Sequence, residues 1–513
     1  MPQPKIHILR AHNRLLIGAD VGATFPGALP RRARALLEET LSYVERVFLR
    51  GVELYEAKKK GLPHTYETTW NCYVIDIKDR MGTSFGFLER IQAALVEHAY
   101  AHRLTVLRAH PHPEIFEPRW DRVFDGSWQP RYRQEELLRT IFAHENGRFD
   151  CPTAFGKSLM IAKAATAAPK AKIAVVTRSV AVLSQRLYPE LCLHLPSVGI
   201  VGGGQRKRGR VTCYSAGSLH HCPDDVDIVF GDEAHQFASD DCARKMAKLK
   251  WARQYGFSAS HDMRLDNKDM RCEAMFGPIR MRVTYDEGVA NQMIVPILVK
   301  MANVIMDEDP CEGYLDVAKK RHGIWRNDYR NSLIAADASS YPDCQVLVSC
   351  TVIEHVLHLK KLLPDAVIIY YEGGMDADEY ARFERQGLIP PDFRWMDRER
   401  KEKRIRRLEK GTPGIYIATP VLNLGVDCRY LEVVCRADAG GSPDKDIQIP
   451  GRASRTNDAG KKVGIVHDYL DQFNRGFRQL AGGRMHTYAS NGWEIVFPDK
   501  ASASVFRRQM GWA

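Results

Sequence analysis

Short apolar runs alternate with helix-spaced stretches along most of the chain, and they fall into two series. In the first, beginning near Arg131, Ile173 to Thr177 and Ile228 to Phe230 read as buried strands with turn residues behind them. The second runs through Gln345 to Ser349, Ala366 to Tyr371, Gly414 to Ala418, Leu431 to Cys435 and Val463 to His467. Apolar strands alternating with amphipathic helices predict parallel α/β sheets. The stretch between the series, Asp286 to Tyr341, is less regular, so the pattern predicts two lobes. Arg398 to Lys410 is densely charged at helical spacing and predicts a solvated helix.

A different pattern precedes the first series. Ile6 to Ile17 predicts two short strands around a turn at His12 and Asn13. Across Arg31 to Glu53, Leu36, Leu37, Leu41, Val44, Val47 and Phe48 stand at helical spacing. Tyr73 to Ile77 predicts a strand, Gly82 to Gly86 a loop, Phe87 to Ala99 a helix and Leu104 to Leu107 a strand. Pro111, Pro113 and Pro118 mark a linker. The expected plan is an α/β accessory domain over residues 1–118, a lobe over 119–285, a second over 286–485 and a tail over 486–513.

Composition changes this picture in two respects. With 44% hydrophobic and 27% charged residues in 513, the chain suits folded domains rather than disorder. A formal net charge of +11 favours a polyanionic partner. No apolar run approaches the roughly 18 residues of a membrane span, and the N-terminus lacks a signal-like apolar core, so a cytoplasmic protein is expected. The 12 cysteines form no C-x-x-C pair, which points to reduced thiols rather than a zinc site. His220, His221, Cys222 and Asp224 read as a polar loop.

Three segments carry chemistry. Residues 152–158, PTAFGKS, follow a predicted strand and open a predicted helix. Backbone N–H groups at such a turn, including Thr153 and Gly156, can cradle phosphate oxygens. Lys157 adds a charge for the β- and γ-phosphates, and the Ser158 hydroxyl can ligate Mg²⁺. Cys151, Ala154 and Phe155 depart from the full P-loop pattern. At the end of a further strand, Asp232 can hold Mg²⁺ through its water shell and Glu233 can polarise a water. In the segment Gln448 to Arg455, Arg452 and Arg455 stand three apart, which predicts one face of a helix, suited to clamp a γ-phosphate.

In this order the segments resemble those of superfamily-2 helicases of the DEAH-box-bearing kind, from about Arg131 to Asp468. The resemblance implies two RecA-like parallel-sheet lobes preceded by the small α/β accessory domain. It further implies ATP and Mg²⁺ as cofactors, with the ATP site in a cleft between the lobes. Arg131 and Gln134 correspond to the adenine-reading motif. Thr177, Arg178, Gly203, Ser215, Thr351 and Thr419 correspond to contacts with the nucleic-acid backbone. Ser258 to Ser260 resembles the motif coupling hydrolysis to movement, with Ser260 for threonine. Gly425 and Asp427 belong to the fifth motif, and Gln448, Arg452 and Arg455 to the sixth, as arginine fingers and their neighbour. Gly202 to Gly204 and Arg330-Asn331 are most similar to UvsW-type phage helicases and their XPB- and RecG-type relatives.

The leading reading is therefore an ATP-dependent DNA helicase or translocase that unwinds or remodels branched DNA in replication, recombination or repair. An RNA helicase, or a duplex translocase that separates no strands, is a second reading. A nucleic-acid-binding subunit without motor activity is a third, opposed by the presence of Lys157, Asp232, Glu233, Gln448, Arg452 and Arg455 together. No membrane partner is expected.

Overall fold

The computed structural model describes residues 4–499 apart from 49–55, 58, 61, 64, 109, 153–154, 259–268, 372, 391–392, 394, 424–425, 427, 442 and 458. It divides into two compact units, residues 1–152 with 156–283, and residues 153–155 with 284–513.

The first unit holds an N-terminal module and a larger sheet. The module's strands are β1 (Ile6–Ala11), β2 (Arg14–Ala19), β3 (Ser42–Phe48), β4 (Thr65–Asn71), β5 (Tyr73–Ile75), β6 (Met81–Ser84) and β7 (His102–Arg108). Five of them form a sheet in the order β5-β6-β2-β1-β7, while β3 and β4 pair separately. The helices Arg31–Thr40 and Leu88–Glu97 bury Leu37, Ile91 and Leu95 against Ile6, Ile8 and Ile17.

Two expectations for this module need correction. The helical spacing across Arg31 to Glu53 does not continue as helix. The helix ends at Thr40, and Ser42–Phe48 is a strand paired along its length with Thr65–Asn71. The β-branched Val44 and Val47 sit opposite Thr69 and Tyr66, where cross-strand packing overrides a spacing compatible with either element. Gly82 to Gly86 is not simply a loop either. Met81–Ser84 pairs with both β2 and β5 before a short 3-10 turn, Phe85–Phe87.

The larger sheet contains β8 (Asn146–Asp150), β9 (Ile173–Thr177), β10 (Val198–Gly202), β11 (Gln205–Lys207), β12 (Val211–Ser215), β13 (Ile228–Asp232), β14 (Arg253–Ser258) and β15 (Ile279–Arg282). Its order is β11-β10-β12-β9-β13-β14-β8-β15. Every pairing is parallel except that of β10 with β11. Ala174, Val176, Val229 and Phe276 are among its buried packing residues, as expected for a sheet covered on both faces.

The second unit is built on β16 (Ile297–Val304), β17 (Gln345–Ser349), β18 (Val367–Ile369), β19 (Gly414–Ala418), β20 (Val433–Arg436), β21 (Gly464–Asp471) and β22 (Glu494–Val496). The order is β18-β19-β17-β20-β21-β16-β22, all parallel. β16 lies inside the stretch read as irregular; Lys300 and Asn303 interrupt its apolar pattern. The helix Arg475–Ser490 runs across the expected boundary at 485, and β22 joins the sheet from the segment expected as a tail. Buried Arg330, Arg436 and Arg484 pair with Asp471, Asp438 with Asp446, and Asp468 respectively, tying β20 and β21 to their neighbouring helices. Both units are mixed α/β, and each large sheet has the parallel strands of a RecA-like lobe.

Candidate functional site

In open parallel sheets the carboxyl ends of the strands are where ligands bind. The chain leaves β8 at Asp150 and enters the helix Lys157–Ala167 through Gly156, whose φ of 88° lies in the left-handed region that glycine adopts without strain. A Cβ there would stand 3.4 Å from Gln134 Nε2 and 3.6 Å from Arg131 Nη2, so both residues flank the turn. Gln134 is fully buried and accepts the Arg131 backbone N–H through Oε1 at 2.8 Å. Thr153 lies outside the described residues.

Next to this turn, β13 ends on Asp232, and Glu233 adopts φ 55°. Lys157 Nζ is 3.5 Å from Glu233 Oε1. The Lys157 ammonium, the Ser158 hydroxyl and both Asp232 oxygens are buried without a hydrogen-bond partner. Unmet buried polar groups are costly, and a cation, a hydroxyl and a carboxylate left unmet together form the complement of a polyphosphate with a divalent metal. Among the described residues no group of three or more His, Cys, Asp or Glu side chains could hold a metal alone. A cation here would take most of its oxygens from phosphates and water.

Burial pushes the Asp232 carboxyl above the ordinary range. Burial opposes ionisation of Glu233 too, but Lys157, His235 and Arg186 outweigh it and hold that carboxyl low. Nothing in the sequence signalled Arg186. His235 Nδ1 lies 2.7 Å from Ser258 Oγ at the end of β14, and both residues are buried. Ser260 lies outside the described residues.

The residues expected from the sequence to contact a nucleic-acid backbone occupy the other half of the same sheet edge. Thr177 ends β9 and Arg178 follows it, exposed; Ser215 ends β12, and Gly203 occupies the β10–β11 turn at φ 59°. A Cβ on neighbouring Gly202 would fall 2.9 Å from Ser215 Oγ.

In the second unit Thr351 follows β17, Thr419 follows β19, and both line one cavity. Gly425 and Asp427 lie outside the described residues. Gln448 ends the helix Pro443–Gln448. Arg452 and Arg455 do not share a helix face, contrary to the sequence reading. Pro450 opens a short 3-10 turn, Pro450–Ser454, and Arg455 leaves it in extended conformation to bridge Ile294. Arg452 Nη1 donates to the Val426 carbonyl at 3.1 Å.

One contact set had no sequence signal. The helix Asp269–Phe276, which follows Ser258 in the chain, is clamped by the N-terminal module. Arg271 donates to the Tyr43 hydroxyl at 2.6 Å and to Glu45 at 3.1 Å, with its guanidinium 4.5 Å from the Trp70 ring centroid. Arg90 holds Glu273 through two bonds of 2.8 and 2.6 Å, and Ser84 Oγ donates to the Ala274 carbonyl.

Residues 345–457 match the family described as the helicase conserved C-terminal domain. Among solved structures, the chain is similar to S. cerevisiae Dbp5 bound to RNA and ADP BeF3, at TM-score 0.51 and 11% identity, covering 78% of this chain and 99% of that one. It is also similar to a Vibrio vulnificus fragment assigned to an HsdR subunit of a type I restriction enzyme, at TM-score 0.50 and 14% identity, covering 94% and 88%. A third likeness is to T4 UvsW, at TM-score 0.39 and 15% identity, covering 96% and 99%. No curated protein sequence matches the chain. The two RecA-like sheets and the matched C-terminal domain define a nucleic-acid-dependent ATPase. Over residues 345–457 the chain matches the helicase conserved C-terminal domain, which implies ATP use and a nucleic-acid partner. Among the described residues no helix is long and apolar enough to cross a membrane.

Proposed function

We propose that the chain is an ATP-driven DNA translocase that unwinds or remodels branched DNA in replication, recombination or repair. The observation that carries the motor reading is the set of buried, unmet groups on Lys157, Ser158 and Asp232 beside Glu233. In this reading Lys157 binds the β- and γ-phosphates, and Thr153 and Gly156 offer backbone N–H groups. Arg131 and Gln134 read the base. Ser158 and Asp232 hold Mg²⁺, which neutralises phosphate charge when bound. Glu233, kept ionised by its cationic neighbours, accepts a hydrogen bond from the attacking water and orients it. Gln448, Arg452 and Arg455 act on the transferred phosphoryl group, with Gly425 and Asp427 as further nucleotide contacts. Thr177, Arg178, Gly203, Ser215, Thr351 and Thr419 grip phosphates of the strand. Such contacts are blind to sequence.

The net charge of +11 supports a polyanionic track, and the resemblance to UvsW-type enzymes motivates DNA. ATPase rates measured in parallel with single-stranded, duplex and branched DNA and with RNA test this directly. The highest rate is expected on branched DNA, with displacement of its strands; stimulation by RNA alone overturns the DNA assignment.

A further inference from the structure

The helix Arg398–Glu409, which the sequence predicts as merely solvated, carries its charges in two sets. In one, Glu402 pairs with Arg398 at 2.9 Å and with Arg406 at 3.2 Å. In the other, Arg400, Lys403, Arg404 and Arg407 recur every three or four positions and so share a face. All four line a cavity of about 570 Å³ beside β18, the edge strand of the second unit's sheet. Asp397 answers Arg400 at 2.8 Å, but among the described residues Lys403 and Arg407 have no carboxylate partner.

Lys360, near the end of the helix Ile353–Leu362, lines the same cavity although it is only 9% exposed. Its Nζ donates to the Ala366 carbonyl at 3.0 Å and to the Pro364 carbonyl, and among the described residues no carboxylate reaches it. A buried ammonium without a counter-charge is costly, and the third of its N–H groups stays uncommitted. Asp365 is the one carboxylate on the described lining, and it is exposed. The rest of the wall is largely apolar, with Val367, Pro390 and a partly buried Phe393. β18 itself offers little to a partner's backbone: Arg404 Nη1 donates to the Ile368 carbonyl at 2.7 Å, and Lys360 takes the carbonyl two residues earlier. With its edge carbonyls capped, the strand resists addition of another strand, so recognition falls to side chains.

The cavity lies away from Thr351 and Thr419, which follow the carboxyl ends of β17 and β19. Lys360 stands at the far end of the helix that returns from β17, and residues 364–366 lead into β18, which runs parallel to the same neighbour. Both therefore stand at the amino ends of the strands. We propose that this cavity docks an acidic segment of a partner protein, with carboxylates on Lys360, Lys403 and Arg407 and one apolar side chain against Phe393 and Pro390. A nucleic-acid duplex presents charge on its outer surface but nothing for the apolar wall, whereas a short acidic peptide with an aromatic residue presents both.

The test titrates the full chain with a fluorescein-labelled oligo-aspartate peptide ending in phenylalanine, and with the same peptide ending in serine. The phenylalanine peptide is expected to bind about tenfold more tightly, as for burial of one apolar side chain. Lys403→Glu sets like charges against each other and is expected to weaken its binding about tenfold or more. Arg407→Gln removes one rim charge and is expected to weaken it about threefold. Lys403 and Arg407 are exposed, so both variants are expected to keep the wild-type thermal midpoint, and the losses then report docking rather than folding. Equal affinity for the two peptides overturns the proposal, as does the absence of binding or binding that both variants leave unchanged. Forked DNA is the third probe. If it displaces the peptide and loses affinity in Lys403→Glu by the same factor, the cavity is a nucleic-acid surface and the protein-partner assignment falls. None of these outcomes depends on ATP hydrolysis, so the proposal and the motor reading stand or fall separately.

Discussion

His235 Nδ1 and Ser258 Oγ stand 2.7 Å apart and link the turn that follows Asp232 and Glu233 at the end of β13 to the end of β14, where the segment expected to couple hydrolysis to movement begins. The bond gives any shift of Glu233 or His235 a direct route into the chain that follows β14. Ser258→Ala removes the route without touching Lys157 or Asp232. ATP binding is expected to persist, while stimulation of hydrolysis by nucleic acid falls about tenfold, equivalent to roughly 1.4 kcal/mol. Equilibrium binding of a fluorescent ATP analogue and stimulated turnover, measured on the same preparation, separate the two effects.

The buried charges at the proposed phosphate site set stability against activity. Asp232→Asn removes a fully buried carboxylate whose oxygens have no hydrogen-bond partner. The nucleotide-free protein is expected to gain about 1 kcal/mol and lose hydrolysis. Lys157→Ala is expected to lower turnover by about two orders of magnitude or more with the fold intact. Chemical denaturation beside steady-state ATPase assays checks both; undiminished turnover in Lys157→Ala would remove the phosphate-site assignment.

Acid is expected to destabilise the second unit through His355. Its Nε2 donates to Asn331 Oδ1 at 2.9 Å, an orientation fixed because Asn331 Nδ2 donates to the Trp325 carbonyl at 3.0 Å. Burial, then the charges of Arg330 and His358, push His355 well below the ordinary 6.5. The folded state therefore refuses a proton that the unfolded chain accepts below about pH 6.5, so stability is full above that pH and is lost as pH falls towards the depressed folded value. The loss is about 1.4 kcal/mol per pH unit across that window. Urea unfolding at pH 5.0 and 7.5 is expected to show it, and His355→Phe to flatten it.

The parallel strands were legible because burial on both faces leaves unbroken apolar runs: Gln345–Ser349 and Gly414–Ala418 stand where their sequences place them. Strands with mixed neighbours were not. β3 carries Val44 and Val47 at a spacing that also suits a helix, and only the pairing with β4, many residues later, decides between the two. In β16, Lys300 turns to the Tyr341 hydroxyl at 3.1 Å, a polar position that hides a sheet strand from a hydropathy pattern. Lys157, Ser158 and Asp232 fall beside one another where local spacing puts them, since a strand–turn–helix places them without help from elsewhere. Arg452 and Arg455 were read as one helical face because nothing local shows that Arg455 is drawn off to Ile294. Arg186 and Arg271 act across distances that no spacing rule reaches.

Arg271→Ala leaves Glu45, only 4% exposed, without the guanidinium at 3.1 Å that neutralises it. A loss of about 3–5 kcal/mol is expected, the range for a buried pair broken on one side. The double variant with Glu45→Gln is expected to recover part of it. Denaturation midpoints of the two single variants and the double give the coupling; strictly additive losses would mean the pair is not linked.

The same clamp decides what a deletion of residues 1–118 would report. Residues 1–118 carry Tyr43, Glu45, Ser84 and Arg90, so their removal takes Tyr43 and Glu45 from Arg271, Arg90 from Glu273 and Ser84 from the Ala274 carbonyl at once. The shortened chain would expose a raw, charged seam on the helix leading out of the coupling segment. Slower turnover in it would measure injury to the first unit rather than a lost grip on nucleic acid. The informative cut is a surgical one: exchange of exposed basic residues such as Arg14, Arg31 and Arg32, which leaves the seam closed.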